Sequence, residues 1–233
     1  KISGVHTILT SPSDQFGFGY ERFNVDRPGG YCHVFVGGYS FKKKYTYYNL
    51  GIRCSSDSWK KIRNRVITLW ENSVRLAFVE RDDGIYFEKF FDGNLQEYKT
   101  TIGKELGVLN DTVKVPLSVM RDYEALISPM ENPTVGKDGC GVAGVLPWGK
   151  ESIDLIVKQR RIDVLENILK GYNPGGRVYA IIALLEMKKR GVVLSADTEI
   201  TIRKLIESNI VILGCFGGTG YNLTAKQILE RFE

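Results

Sequence analysis

Two glycine patterns overlap in the middle of the chain, and they form its best local cradle for a phosphate. Gly139-Cys140-Gly141-Val142-Ala143-Gly144 fits GxGxxG, where missing side chains let the backbone approach a pyrophosphate. Gly144-Val145-Leu146-Pro147-Trp148-Gly149-Lys150 fits GxxxxGK, with Lys150 placed to neutralise the ligand. Gly144, Gly149 and Lys150 are therefore the candidate phosphate-binding residues. The context argues the other way. No clear strand precedes the glycines, Pro147 interrupts any helix opening there, and Glu151 stands where a Ser or Thr would hold magnesium. A carboxylate beside phosphates repels them, so a glycine-rich turn leading into a helix is the favoured reading of this segment.

Nucleophilic and metal chemistry find little to work with. The histidines are His6 and His33, and a Cys–His or Ser–His pair must draw its base from one of them. His33 follows Cys32 directly, but neighbours on a regular strand point to opposite faces. Cys32, Cys54, Cys140 and Cys215 show neither a CxxC pair nor zinc-site spacing. GxSxG and HExxH are both absent. Glu80, Asp82 and Asp83 surround a predicted hairpin tip, the ordinary place for a solvated turn. No catalytic residue, metal ligand or cofactor is assigned.

Binding chemistry has two candidate stretches. Phe16, Phe18 and Tyr20 share a glycine-containing loop with Asp14, Glu21 and Asp26. If exposed, the three aromatics are partner-binding anchors; the commoner alternative is that they tuck beneath a sheet as core. Lys42, Lys43 and Lys44 run into Tyr45, Tyr47 and Tyr48, the composition of a surface that stacks single-stranded nucleic acid. Tyrosine also suits strands, so the face from Lys42 to Tyr48 is a secondary reading and another protein is the expected partner.

The 233 residues are 43% hydrophobic and 25% charged, ordinary values for a globular chain. Thirty-two basic and 27 acidic side chains give a net charge of +5, too mild to demand a polyanionic partner. The longest uncharged run, 208–225, holds four glycines and is not a membrane span. The chain starts at Lys1 and not Met, as after removal of a signal peptide or trimming. The even cysteine count points to an oxidising compartment, with one bridge between Cys32 and Cys54 or between Cys140 and Cys215. A periplasmic or extracellular location is expected, with the cytoplasm as the alternative. Asn110-Asp111-Thr112 and Asn222-Leu223-Thr224 match the glycosylation sequon, a triplet too common by chance to carry weight.

Periodicity divides the chain into three parts. Residues 1–99 read as an antiparallel β-meander, with strands over 33–36, 45–53, 66–70, 74–79 and 85–91. Asp83-Gly84 supplies a hairpin turn, glycine accepting positive φ there. One segment is ambiguous, because Trp59, Ile62, Val66 and Leu69 also fit a helical stripe. Residues 100–149 read as an irregular connector with one short helix over 119–127. Residues 150–233 read as a bundle of short antiparallel helices. Asn173-Pro174 starts one, Lys188-Lys189-Arg190-Gly191 ends it, and Asp197 is the expected cap of the next. Thr224-Ala225-Lys226-Gln227 is a capping box for the last helix, with Leu223 and Ile228 as its staple.

Such helix pairs resemble HEAT repeats, although no repeat period is visible. Asn173-Pro174-Gly175-Gly176-Arg177-Val178-Tyr179-Ala180, with the later Gly214-Cys215, resembles the C-terminal part of certain uncharacterised, exported bacterial proteins. That resemblance implies an envelope location and brings no activity with it. The expected fold is α+β, and the expected function is a non-catalytic binding protein of the bacterial envelope, such as a toxin-neutralising immunity protein. The rivals are an enzyme or binder of a phosphorylated ligand at 139–150, and a nucleic-acid binder.

Overall fold

The computed structural model describes residues 14–29, 31–73, 79–131, 134–140, 144–208 and 210–232. It shows a mixed α+β chain with an antiparallel sheet in its N-terminal part and eight helices among the described residues. By packing it divides into two units, residues 20–96 and residues 14–19 together with 97–233.

In the first unit, β2 (Tyr20–Gly29), β3 (Cys32–Phe41) and β4 (Lys44–Cys54) pair antiparallel in succession. Helix α1 (Ser56–Ser73) and β5 (Val79–Arg81) precede β6 (Gly84–Phe90), so the strands lie side by side as β2-β3-β4-β6-β5. The β3–β4 turn puts Lys42 and Lys43 at φ +47° and +66°, the mirror-image geometry that matches strand twist. At the β5–β6 turn the glycine serves another purpose than expected. Gly84 is not left-handed; a Cβ there would lie 2.0 Å from the Ile52 carbonyl oxygen, so only glycine lets β4 approach.

Helix α1 overturns the strand expected over 66–70; 74–78 lie outside the described residues. Val66-Ile67-Thr68 has strand propensity, but the stripe of Trp59, Ile62 and Val66 packs on one face of the sheet with Cys54 and Ile85. Burial along a 3.6-residue period outweighs a local preference worth tenths of a kcal/mol per residue. The start signal was also present. Ser55 accepts from the Ser58 N–H at 3.4 Å, and its carbonyl takes the Trp59 N–H at 2.9 Å.

The second unit holds β1 (Asp14–Gln15), α2 (Asp92–Leu106, from Glu97 on), a 3-10 turn (Leu117–Val119), α3 (Met120–Ile127), β7 (Val135–Gly136), α4 (Lys150–Lys158), α5 (Ile162–Lys170), α6 (Pro174–Lys189), α7 (Ala196–Glu207), β8 (Val211–Phe216), β9 (Thr219–Thr224) and α8 (Ala225–Phe232). Tyr98, Ile102 and Leu106 form the buried stripe of α2, a helix that straddles the expected boundary between the β-rich region and the irregular connector and was read in neither. The C-terminal part is not purely helical. Gly217 and Gly218, at φ +58° and +80°, close a β8–β9 hairpin, and β7 pairs in parallel with β8.

The caps follow the sequence with one correction. Asn173 caps α6, and Thr224 and Gln227 exchange the two bonds of the capping box. Helix α7 is capped by Ser195, whose Oγ accepts from the Thr198 N–H at 3.1 Å; Asp197 sits in the first turn. Both readings satisfy the dipole, but the side chain that reaches an N–H two or three residues ahead is Ser195.

Two disulfides close the described cysteines, Cys32–Cys54 in the first unit and Cys140–Cys215 in the second. They are compatible with an extracellular or periplasmic location. No helix among the described residues is long and apolar enough to cross a membrane.

Candidate interaction surface

The glycine-rich segment folds as a pinned loop. Cys140 donates its N–H to the Val145 carbonyl at 2.7 Å, and its sulfur is bonded to Cys215 on β8. A Cβ on Gly139 would lie 2.2 Å from the Gly144 carbonyl oxygen, so glycine is needed there for closure. Gly144 takes φ +60°. Gly141, Val142 and Ala143 lie outside the described residues. Gly149, at φ +84°, is the N-cap of α4, where a Cβ would press on Leu126. Gly139, Gly144 and Gly149 are thus used by close packing, a turn and a helix cap.

Lys150 opens α4 and is bonded to Asp154 one turn on, with Nζ 2.5 Å from both carboxylate oxygens. Gly144, Gly149 and Lys150 therefore share a loop, but the cation already has its counter-charge.

What this loop offers outward is apolar. Val145, Leu146 and Trp148 are 66%, 39% and 39% exposed, while Pro147 between them is buried. Trp148 stands between two clefts. One, of about 360 Å³, is lined by Glu131, Thr134, Cys140 and the loop itself. The other, of about 580 Å³, is lined by Arg121, Glu124, Ala125, Ser128 and Glu131. A central indole flanked by aliphatics and rimmed by Arg121, Glu124 and Glu131 is the anatomy of an interface anchor. Trp148 is flanked by the buried Pro147 and by Gly149, the N-cap of α4, and Cys140 is tied to β8 by its disulfide. Sequence reasoning weighed 139–149 as a phosphate site or a glycine-rich turn, although the run Val145-Leu146-Pro147-Trp148 between glycines carried this signal.

The aromatic loop is placed differently. Phe16 and Tyr20 are each 1% exposed and so belong to core, the alternative weighed for them. Phe18 is half-buried at φ +53°, with the Arg177 guanidinium 5.8 Å from its ring centre. Arg177 is itself fully buried; Nε donates to the Gly171 carbonyl at 2.7 Å and Nη2 to the Tyr98 hydroxyl at 3.0 Å. Those contacts put the cation at the C-terminal end of α5, where helix carbonyls stabilise positive charge. The segment Asn173-Pro174-Gly175-Gly176-Arg177 is therefore a packing device, buried throughout.

The basic–aromatic face does not assemble as one stack. Lys43 is paired with Glu21 at 2.9 Å, and Lys42 lies over the Phe41 ring at 4.8 Å. Tyr45 and Tyr48 meet edge-on at 67°, whereas Tyr47 packs with Phe90 on the other side of the sheet. Burial and the neighbouring Glu88 push the Tyr47 hydroxyl up to about 12. Thr46 between them is buried and bonded to the Tyr39 carbonyl. His33 is exposed beside Asp26 at 3.4 Å; His6 lies outside the described residues. Among the described residues no three His, Cys, Asp or Glu side chains converge as for a metal.

No protein-family model, no curated protein and no solved structure matches the chain.

Proposed function

We propose that the chain is a non-catalytic binding protein of the bacterial envelope, and that it grips a partner protein through the loop bearing Val145, Leu146 and Trp148. The carrying observation is an exposed tryptophan on a loop held by the Cys140–Cys215 bond. Surface tryptophan exposes a large apolar area to water without benefit to the free protein, and tryptophan is the residue most enriched at binding hot spots. The two disulfides support a site of action outside the cytoplasm. An immunity protein that neutralises a toxin is the concrete form of this reading that suits a small exported binder.

The test compares the oxidised protein with Trp148→Ala as baits in an envelope extract of the source cells, followed by quantitative mass spectrometry. Loss of a hot-spot side chain costs at least ~2 kcal/mol, or roughly thirty-fold in affinity. A partner retained by the parent and lost from Trp148→Ala, with the melting temperature unchanged, supports the proposal. Equal capture by both proteins removes it.

A further inference from the structure

A cavity of about 720 Å³ in the second unit lies apart from the Trp148 clefts, between the start of α4, α6 and the end of α8. Its floor is apolar. Ile153 of α4, Ile182 and Leu185 of α6, and Leu229 and Phe232 of α8 all line it. Its rim is cationic: Lys137, Lys150, Lys188 and Lys189 against Asp154 and Glu186. The pairing of these charges is uneven. Lys150 is taken by Asp154, Lys188 by Glu199, and Glu186 by Arg190. Among the described residues, Lys137 and Lys189 are left without a carboxylate, both exposed at the cavity edge.

We propose that this groove binds a long-chain fatty-acid anion, its chain along the α6–α8 floor and its carboxylate between Lys137 and Lys189. The volume lies within the range of small-molecule sites, and an apolar trough with a few placed charges is their usual composition. A nucleotide would find cations but no stacking slot between two flat faces, since Phe232 is the one aromatic ring beside Tyr179, and the Tyr179 hydroxyl is engaged by the Thr134 carbonyl and the Gly136 N–H. A neutral lipid would leave two lysines uncompensated. A single-chain anion satisfies both halves of the site. Lysine stems add to the apolar wall while their ammonium groups reach the head.

The test is displacement of anilinonaphthalene sulfonate from the full, oxidised chain by saturated fatty acids kept below their micellar concentration. Affinity should rise with chain length by up to about four-fold per added methylene until the floor is covered. Lys137→Met with Lys189→Met keeps the stems and removes the charges; dodecanoate should bind about ten-fold more weakly to it, while octyl glucoside is unaffected. Trp148→Ala should leave dodecanoate binding unchanged, which separates this site from the protein-binding loop. Butyrate or inorganic phosphate competing as well as dodecanoate would show an anion site without use of the floor, and overturn the proposal. Octyl glucoside competing equally, or dodecanoate binding undiminished in the folded double variant, would overturn it as well.

Discussion

Asn173 joins the end of one helix to the start of another through Glu131. Its Nδ2 shares two N–H groups among three carbonyls, Glu131 at 2.6 Å, Ser128 at 3.0 Å and Ala125 in the last turn of α3 at 3.1 Å, while Oδ1 accepts from the Gly176 N–H at 3.0 Å in the first turn of α6. The Asn173 side chain is fully buried, so its own amide has no water to turn to. Losing the cap costs about 1 kcal/mol, and losing the amide's bonds to the carbonyls costs roughly 1–3 more. Asn173→Ala is therefore expected to lose about 2–4 kcal/mol in urea unfolding. Asn173→Asp keeps the acceptor but sets a carboxylate against three carbonyl oxygens, and should lose at least as much. An Asp variant as stable as the parent would reduce Asn173 to a simple N-cap.

The two disulfides make a second prediction. They span 22 and 75 residues, and on the chain-entropy account they restrict the unfolded state by roughly 3 and roughly 4.5 kcal/mol. Replacing Cys140 and Cys215 together by alanine should cost more than replacing Cys32 and Cys54. It should also loosen the loop that presents Trp148, weakening partner capture beyond the loss of stability. Labelling of unfolded, unreduced protein should find no reactive thiol; four labelled thiols in protein taken from its native compartment would defeat the envelope assignment.

Much of this was legible along the chain. Asn173-Pro174, Lys188 to Gly191 and the Thr224–Gln227 box are local signals, since a cap is decided by residues within one turn of each other. The strand–helix error at 66–70 and the hairpin missed at 217–218 have a common cause: burial is decided by what lies across the fold. Val66 reads as a strand residue until the sheet beneath α1 is known, and Gly217-Gly218 reads as a loop until β7 is there for β8 to pair with. Trp148 was hidden for another reason. Its sequence context matches GxxxxGK up to Lys150 and drew the reading toward phosphate; the Lys150–Asp154 pair and the closing of Gly139 on Gly144 show these residues serving the fold.

Gly84 gives a third prediction, specific to the sheet. Any side chain there meets the Ile52 carbonyl at 2.0 Å, so Gly84→Ala must push β6 off β4 or break a ladder bond. Because φ at this residue is not positive, backbone strain contributes nothing, and the whole penalty is steric. Overpacking in a closed site costs roughly 1–3 kcal/mol or more. Gly93, with open space where its Cβ would be, is the control; Gly93→Ala in exposed α2 should stabilise by up to about 1 kcal/mol. Equal effects from the two would mean that the β4–β6 approach is looser than described.

The last prediction follows from the buried tyrosines of the second unit. Burial raises the hydroxyls of Tyr98, Tyr123 and Tyr179 above the ordinary value near 10, with the Arg177 guanidinium pulling Tyr98 partly back and Asn167 doing so for Tyr123. In the unfolded chain each ionises at about pH 10. Above that pH the unfolded state has released protons that the folded state still holds, so the unfolded state binds fewer protons and stability falls as pH rises. The contribution is fully present below about pH 10 and is lost as pH climbs toward the folded values. Unfolding midpoints measured from about pH 8 to about pH 11 should hold steady at first and then drop. Tyr179→Phe isolates one group: it removes the bonds to Thr134 and Gly136, costing about 1–2 kcal/mol at neutral pH. It should also flatten the alkaline fall, because one fewer proton is at stake. A variant that shifts the whole curve down without changing its slope would show that the Tyr179 hydroxyl reaches solvent before the chain unfolds.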